Sequence, residues 1–426
     1  MRQPRLKGSA SQPLTGRQRL SVGSVVACLA VAGLSPRSPC AGFEVLASAA
    51  RSVRRGHPRR RRGARLASLL RRVMKPYTIE KINPYMPEML AVAQALVGSD
   101  RGVLDIGADA ETLSTWLRRG GVGGFHEDRK KWRRLLCGAQ GLGELFSGAI
   151  LDDEALEELT DEGEPLPELL SKEGIAVGVR VDTGFFPLNG YGEKGTDGLI
   201  ALEDRCRCYY ERGARFAQWR SVVVCSMELP TDVAVWESAA RLAACAKTCQ
   251  AFGLVPAVEV AISSAPGAHS LDRAAYVAEK VYSQAVQQLI EHDVNIEAVV
   301  FLPSLCLPGP EAAPPRPLEV AESTARALWR TLPPAMPGVL LLPGVEHLES
   351  TTVETAAWPS SAAEVATALS DVREAVPGAA PWAIALSLGP SLQAPALAAW
   401  AAGREDAEIQ ETFLESSAQA IGRGSR

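Results

Sequence analysis

The chain is poor in the side chains from which metal and covalent sites are usually built. Its five histidines show no HxxxH or HxH spacing and none lies beside a cysteine, while its nine cysteines include no CxxC pair. Zinc sites draw on such spacings, so no metal and no cofactor is expected. Nine cysteines scattered over 426 residues make no disulfide framework either. No glycine-rich fingerprint follows any strand-like run, which removes the usual signal for dinucleotide binding. Lysine is scarce, at nine residues. Acid is almost missing from residues 1 to 76, where Glu44 stands alone against 17 Lys and Arg; beyond them 28 basic residues face 48 acidic ones. The two parts therefore carry about +16 and −20. A body of that sign repels a phosphate backbone, so no nucleic-acid partner is expected.

Apolar runs long enough for a comfortable membrane span are absent too. "LSVGSVVACLAVAGL", Leu20 to Leu34, has the length of a signal-peptide core, and the Arg-rich, acid-free stretch from Arg51 to Arg72 has a transit-peptide composition. Signal-like then transit-like predicts a bipartite targeting leader over residues 1–75, directed to a secondary, complex plastid, with the mitochondrion as the alternative. Residues 76–426 form the body, with no transmembrane segment expected.

The body contains eight short apolar runs, at 102–108, 147–151, 175–184, 215–225, 254–262, 296–303, 338–345 and 382–389. Amphipathic stretches such as 230–253 and 270–293 lie between them, with apolar residues three to four apart and turn residues at their ends. Buried strands each followed by a helix predict an α/β fold, a single-domain (βα)8 TIM barrel with an extra N-terminal helical piece. Chemistry in such a barrel belongs at the C-terminal strand ends. Those ends offer Gly107 and Asp109, Arg180 and Asp182, Gln218 and Arg220, Glu259, Leu302, Gly344 and Glu346, and Gly389. No nucleophile stands out among them. The nearest lysine is Lys194, in the loop after the third strand, and Cys225 and Cys306 have no adjacent basic residue to activate them.

Several long segments resemble the class I, Schiff-base fructose-bisphosphate aldolases. "GARFAQWR" (213–220) is similar to the family's GADFAKWR, "GLVPAVEVAI" (253–262) to GIVPIVEPEI, "GAHSLDRAAYVAEKV" (267–281) to GDHDLKRCQYVTEKV, and "SLGPSLQAPALAAW" (387–400) to SYGRALQASALKAW. The likeness runs from about Lys75 to Trp400. It implies a (βα)8 barrel, an oligomer, and carbon–carbon lyase chemistry of glycolysis and the Calvin cycle.

The same resemblance places substitutions at the family's working positions. "IEAVVFLPSLCLPG" (296–309) resembles LEGTLLKPNMVTPG, with Leu302 at the Schiff-base lysine. Only an amine forms a protonated imine, so leucine cannot serve. Gly107 stands at the family's aspartate, Gln218 at the KWR lysine and Ala261 at the second VEPE glutamate, while Glu259 and Arg220 are retained. Thr115 and Trp116, Pro343, Gly344 and Val345, and Leu388 and Pro390 replace the phosphate-binding KRL, SGG and YGR motifs. Arg180 takes the place of a lysine and, with Gly344, is the remaining candidate for substrate binding. The family's tail ending in tyrosine has no counterpart in "AIGRGSR".

These readings predict Glu259 paired with Arg220, Arg180 paired with Asp182, and an apolar mouth made by Leu302, Leu388 and Val345. The expectation is an aldolase-like pseudoenzyme with a structural, scaffolding or regulatory role, as a homo-oligomer or in a hetero-oligomer with a paralogue or larger complex. The alternatives are an active fructose-bisphosphate aldolase using a relocated lysine and a small-molecule binding module.

Overall fold

The structure is a computed structural model describing residues 83–98, 100–343, 361–378 and 380–423. Residues 81–426 form one compact unit, and the leader segment lies outside the described residues. The chain opens with α1 (Met86–Val97), then β1 (Gly102–Asp105), α2 (Ala110–Arg119), α3 (His126–Cys137), α4 (Leu142–Leu145), β2 (Phe146–Leu151), α5 (Asp153–Glu157), α6 (Leu166–Lys172) and β3 (Ala176–Arg180). A hairpin follows, β4 (Phe185–Pro187) and β5 (Lys194–Thr196), and then α7 (Leu202–Glu211), β6 (Phe216–Cys225), α8 (Asp232–Ala251), β7 (Val255–Ser264), α9 (Leu271–Glu291) and β8 (Val300–Pro303). The remainder is α10 (Pro317–Thr331), β9 (Gly338–Leu341), α11 (Ala362–Ala375), β10 (Ala383–Leu388), α12 (Pro390–Ala401) and α13 (Asp406–Ala420). Eight strands close a parallel barrel in the order β1-β10-β9-β8-β7-β6-β3-β2, each on one of the apolar runs, and β4 pairs only with β5, antiparallel.

Strand periodicity divides the apolar residues into two layers. Val103, Ile150, Phe216, Val255, Ala257, Val300, Leu302, Leu340 and Ala385 fill the barrel, where they meet Met89, Ala93, Leu96 and Val97 of α1. The alternate residues, among them Leu104, Leu151, Val179, Trp219, Val260, Phe301 and Leu386, pack outward against the helices. Phe216 needs space that only glycine leaves, since a Cβ on Gly178 would sit 2.3 Å from its ring. Polar N-caps start the helices after the strands: Asp109 accepts from the Glu111 and Thr112 amides, Thr231 from Ala234 and Ser270 from Arg273.

One flank holds an unusual charge cluster. Arg133 of α3 is wholly buried and reaches Asp152 at 2.8 Å, Glu154 at 2.9 Å and Glu158 at 2.5 Å. Arg129 adds a 2.8 Å contact to Glu154 and His126 one of 2.7 Å. Burial outweighs the attraction of Arg133 and pushes Asp152 up to about 6, whereas bonds from Arg129 and Arg133 hold Glu154 down at about 2. The cluster is incompletely satisfied, because Arg133 Nε and Glu158 Oε2 are buried without partners.

Candidate functional site

Neighbouring strands bring the polar strand-end residues to one side of the barrel mouth. Arg180 lies opposite Gln218 in the β3–β6 register, Arg220 opposite Glu259 between β6 and β7, and Glu259 opposite Leu302 between β7 and β8. All of them, with Asp105, occupy inward-facing positions.

Asp105 draws donors from three residues. Arg180 Nη2 donates to both of its oxygens, at 3.0 and 2.9 Å, Gln218 Nε2 approaches at 3.3 Å, and the Gly107 amide donates at 3.0 Å. Gln218 is fully buried and works as a hub: its carbonyl accepts from Arg180 Nε at 3.1 Å and its amide donates to Glu259 Oε2 at 2.7 Å. Arg220 makes a separate, forked pair with Asp182, from Nε at 3.1 and 3.2 Å and from Nη2 at 2.6 Å, while its guanidinium lies 5.1 Å from the Phe185 ring of the β4–β5 hairpin.

Neither predicted pairing is present. Arg180 bonds Asp105 rather than Asp182, and Asp182 takes Arg220, leaving Glu259 with an amide donor. Period-2 alternation tells which side chains face inward but not which neighbours meet, because the barrel's stagger sets that. Asp105 was missed for the same reason; its signal was its place two residues before Gly107, on the same face of the strand.

Electrostatics follow from the pairing. Burial pushes the Glu259 carboxyl up to about 7, against the lowering influence of Arg220 and Arg180. Burial also disfavours the Arg220 charge, but the adjoining Asp182 more than offsets this and raises its pKa. At Asp109, bonds from the Thr112 amide and hydroxyl outweigh burial and lower the pKa.

The other half of the mouth is apolar. Leu302 is fully buried in the barrel beside Leu340 and Ala385, and Ala261, two residues beyond Glu259, is buried as well. At Gly107 a Cβ would come within 2.9 Å of the Leu151 carbonyl, so a side chain does not fit this backbone as it stands. Leu388 does not join the mouth as expected. It faces the helix layer, with a methyl so close to Gly102 that a Cβ there would sit 2.3 Å away. Gly344, Val345 and Glu346 lie outside the described residues. Thr115 accepts from Arg118, and Trp116 turns to the Trp132 ring, centroids 5.5 Å apart.

The six lysines among the described residues lie elsewhere. Lys130 and Lys131 are on α3, Lys172 on α6, Lys247 on α8 and Lys280 on α9, and Lys194 is on the hairpin, exposed, 5.9 Å from the Phe185 ring. Cys225 and Cys306 are buried, which pushes their thiols up to about 11 and about 12 and leaves both protonated and unreactive at neutral pH. Among the described residues no helix is long and apolar enough to cross a membrane.

Comparison with known proteins gives one answer. The family model for fructose-bisphosphate aldolase class-I matches residues 88–425. A fructose-bisphosphate aldolase of Schistosoma mansoni is 34% identical over 352 residues, 81% of this chain and 93% of that one. Cytosolic fructose-bisphosphate aldolase 5 of Arabidopsis thaliana is 33% identical over 335 residues, 78% and 89% of the two chains. The solved structure of fructose-bisphosphate aldolase from Plasmodium falciparum, in complex with TRAP and a small-molecule inhibitor, superposes with a TM-score of 0.73 at 34% identity, covering 82% of this chain and all of that one.

Proposed function

The chain belongs to the class I fructose-bisphosphate aldolase family, and from that premise we propose that it works without aldol cleavage, as a structural or regulatory relative of the active enzymes. The observation that carries this reading is the inward face of β8. Leu302 fills it, fully buried, and each of the six described lysines sits on an outer helix or on the hairpin. An imine needs an amine beside the bound carbonyl, and leucine offers none in any protonation state. The polar groups that do face the mouth are engaged with one another, so approaching substrate would have to break two ion pairs before binding. The role left to such a barrel is assembly, with an active paralogue or within a larger complex, and the signal-like then transit-like order of the leader favours a plastid as its place, with the mitochondrion as the alternative.

The reading is tested by incubating the full chain with dihydroxyacetone phosphate and borohydride, then measuring intact mass. No adduct is expected under conditions that label an active aldolase. A stoichiometric adduct would overturn the proposal, and mapping it would identify the lysine that has taken over.

A further inference from the structure

Strands β6 and β7 are ten residues long, against four to six for the other barrel strands, and carry their loops well past the polar cluster of the mouth. Glu259 lies five residues before the end of β7, roughly 16 Å back along the strand. Between those two loops and the tip of the β4–β5 hairpin is a cavity of about 350 Å³. Small-molecule sites have volumes of this order, and none of its wall residues belongs to the mouth cluster. Hydrogen bonds hold the walls in place. Buried Glu193 in the hairpin loop accepts from the Thr231 amide at 2.8 Å and hydroxyl at 2.6 Å, tying the hairpin to the β6 loop. Arg273 at the start of α9 donates to the Ser226 and Leu229 carbonyls at 3.0 and 2.9 Å, tying that loop to α9.

The chemistry of the walls selects a ligand. Tyr191 and Met227 line the cavity while 74% and 70% exposed, beside Leu229 and Pro266, so an apolar body would bury hydrocarbon that now faces water. Glu228 is the one formally charged side chain of the wall; it is exposed, and its carboxylate has no partner among the described residues. His269 is 1% exposed, with Nδ1 unpartnered, and burial lowers its pKa, so its ring is uncharged at neutral pH. Arg273 is not in the wall, and its guanidinium is committed to the two carbonyls. An anion entering the cavity would meet Glu228 and no cation of the wall, whereas an ammonium would meet a carboxylate and an aromatic face.

We infer that this cavity binds an amine with an apolar body, its ammonium paired with Glu228 and its apolar part against Met227, Leu229 and Tyr191. A free arylalkylamine and the lysine side chain of another protein present the same chemistry, since the lysine stem is apolar too. The site lies outside the mouth and adds a ligand to the assembly role proposed above.

Saturation-transfer NMR on the full-length protein at low ionic strength provides the test, with phenethylamine, its anionic counterpart phenylpropionate, and a lysine capped at both ends. Wild type should bind phenethylamine with a Kd on the order of 1 mM or tighter, within reach of a ligand of that size, and phenylpropionate several-fold more weakly. Glu228→Gln should weaken the amine by about threefold, the scale of an exposed ion pair, and added sodium chloride should weaken it in wild type. Tyr191→Ala combined with Met227→Ala should weaken it by about tenfold through lost apolar contact. All three side chains are exposed, so the variants are expected to fold as wild type does. Binding of either ammonium ligand that depends on Glu228 supports the inference, and the tighter of the two assigns the source, free amine or protein lysine. No transfer to either, phenylpropionate bound as tightly as the amine, or binding unmoved by Glu228→Gln would overturn it. Schiff-base trapping uses a carbonyl ligand and a lysine of this chain, so failure of the proposed function and failure of the amine site are told apart.

Discussion

The mouth of the barrel and the α3–α5 flank contain nearly the same ingredients, arginines set among carboxylates, and put them to different use. On the flank, Arg133 is sealed from water and serves three acids at once, with Glu158 Oε2 still unpartnered. At the mouth, each arginine has one acid, and both remain in reach of solvent at 11% and 18% side-chain exposure. A sealed cluster is bound up with folding, because losing one member leaves bare charge inside protein. An open cluster can exchange partners with water or solutes, so its losses fall on binding and pH response first. Position relative to the barrel, more than residue type, decides which of these a charge network does.

That contrast is broken most forcefully on the flank. Arg133→Met strips the base from Asp152 and Glu158 and should destabilise the protein by about 3–5 kcal/mol in urea unfolding, the range for an orphaned buried charge. A loss near that expected for a surface pair would mean the flank is wetter than its burial implies. At the mouth, Leu302→Ala removes a fully buried side chain and should cost about 3 kcal/mol by thermal unfolding. A much smaller cost would indicate that the apolar half of the mouth collapses or admits water.

Glu259→Gln sharpens the comparison through pH. The folded carboxyl titrates near 7 and the unfolded one near its ordinary value of 4.5. The native state therefore holds its proton more tightly, and this group's contribution to stability falls as pH rises from about 4.5 to 7. Glutamine keeps the acceptor for Gln218 and cannot ionise. The variant should match wild type below pH 4.5 and exceed it by roughly 1–3 kcal/mol above pH 7.5, read from urea midpoints across that range. An unchanged difference across pH would place the Glu259 charge in bulk-like solvent. The smallest effect is expected of His126→Ala on the outer rim of the flank, where the ring is 53% exposed: under about 1 kcal/mol, and less in high salt.

Much of this architecture was legible in the sequence, and what was not has a physical reason. All eight barrel strands fall on apolar runs, because a strand buried on both faces must be apolar throughout. The hairpin at Phe185–Pro187 and Lys194–Thr196 escaped notice; each arm is three residues long, too short for an alternation to register. Leu388 was placed in the mouth by its neighbourhood in the chain, whereas one step along β10 turns a side chain to the other layer. Asp105 shares its strand face with Gly107, so the alternation that points to Gly107 points to Asp105 as well. Arg180 and Arg220 both take partners other than those expected, Asp105 and Asp182, because ion pairs across a barrel depend on stagger, a property of all the strands together.

Helix α1 gives the filled barrel two unlike ends. With Met89, Ala93, Leu96 and Val97 pressed against the barrel residues, one end of the cylinder is stoppered by hydrocarbon. In deuterium-exchange experiments the strand amides nearest that stopper should be the last to label, with exchange advancing from the Asp105 end toward Phe216 as local openings deepen. A chain corked in this way can change the charges at its rim while the slow-exchanging floor stays as it is.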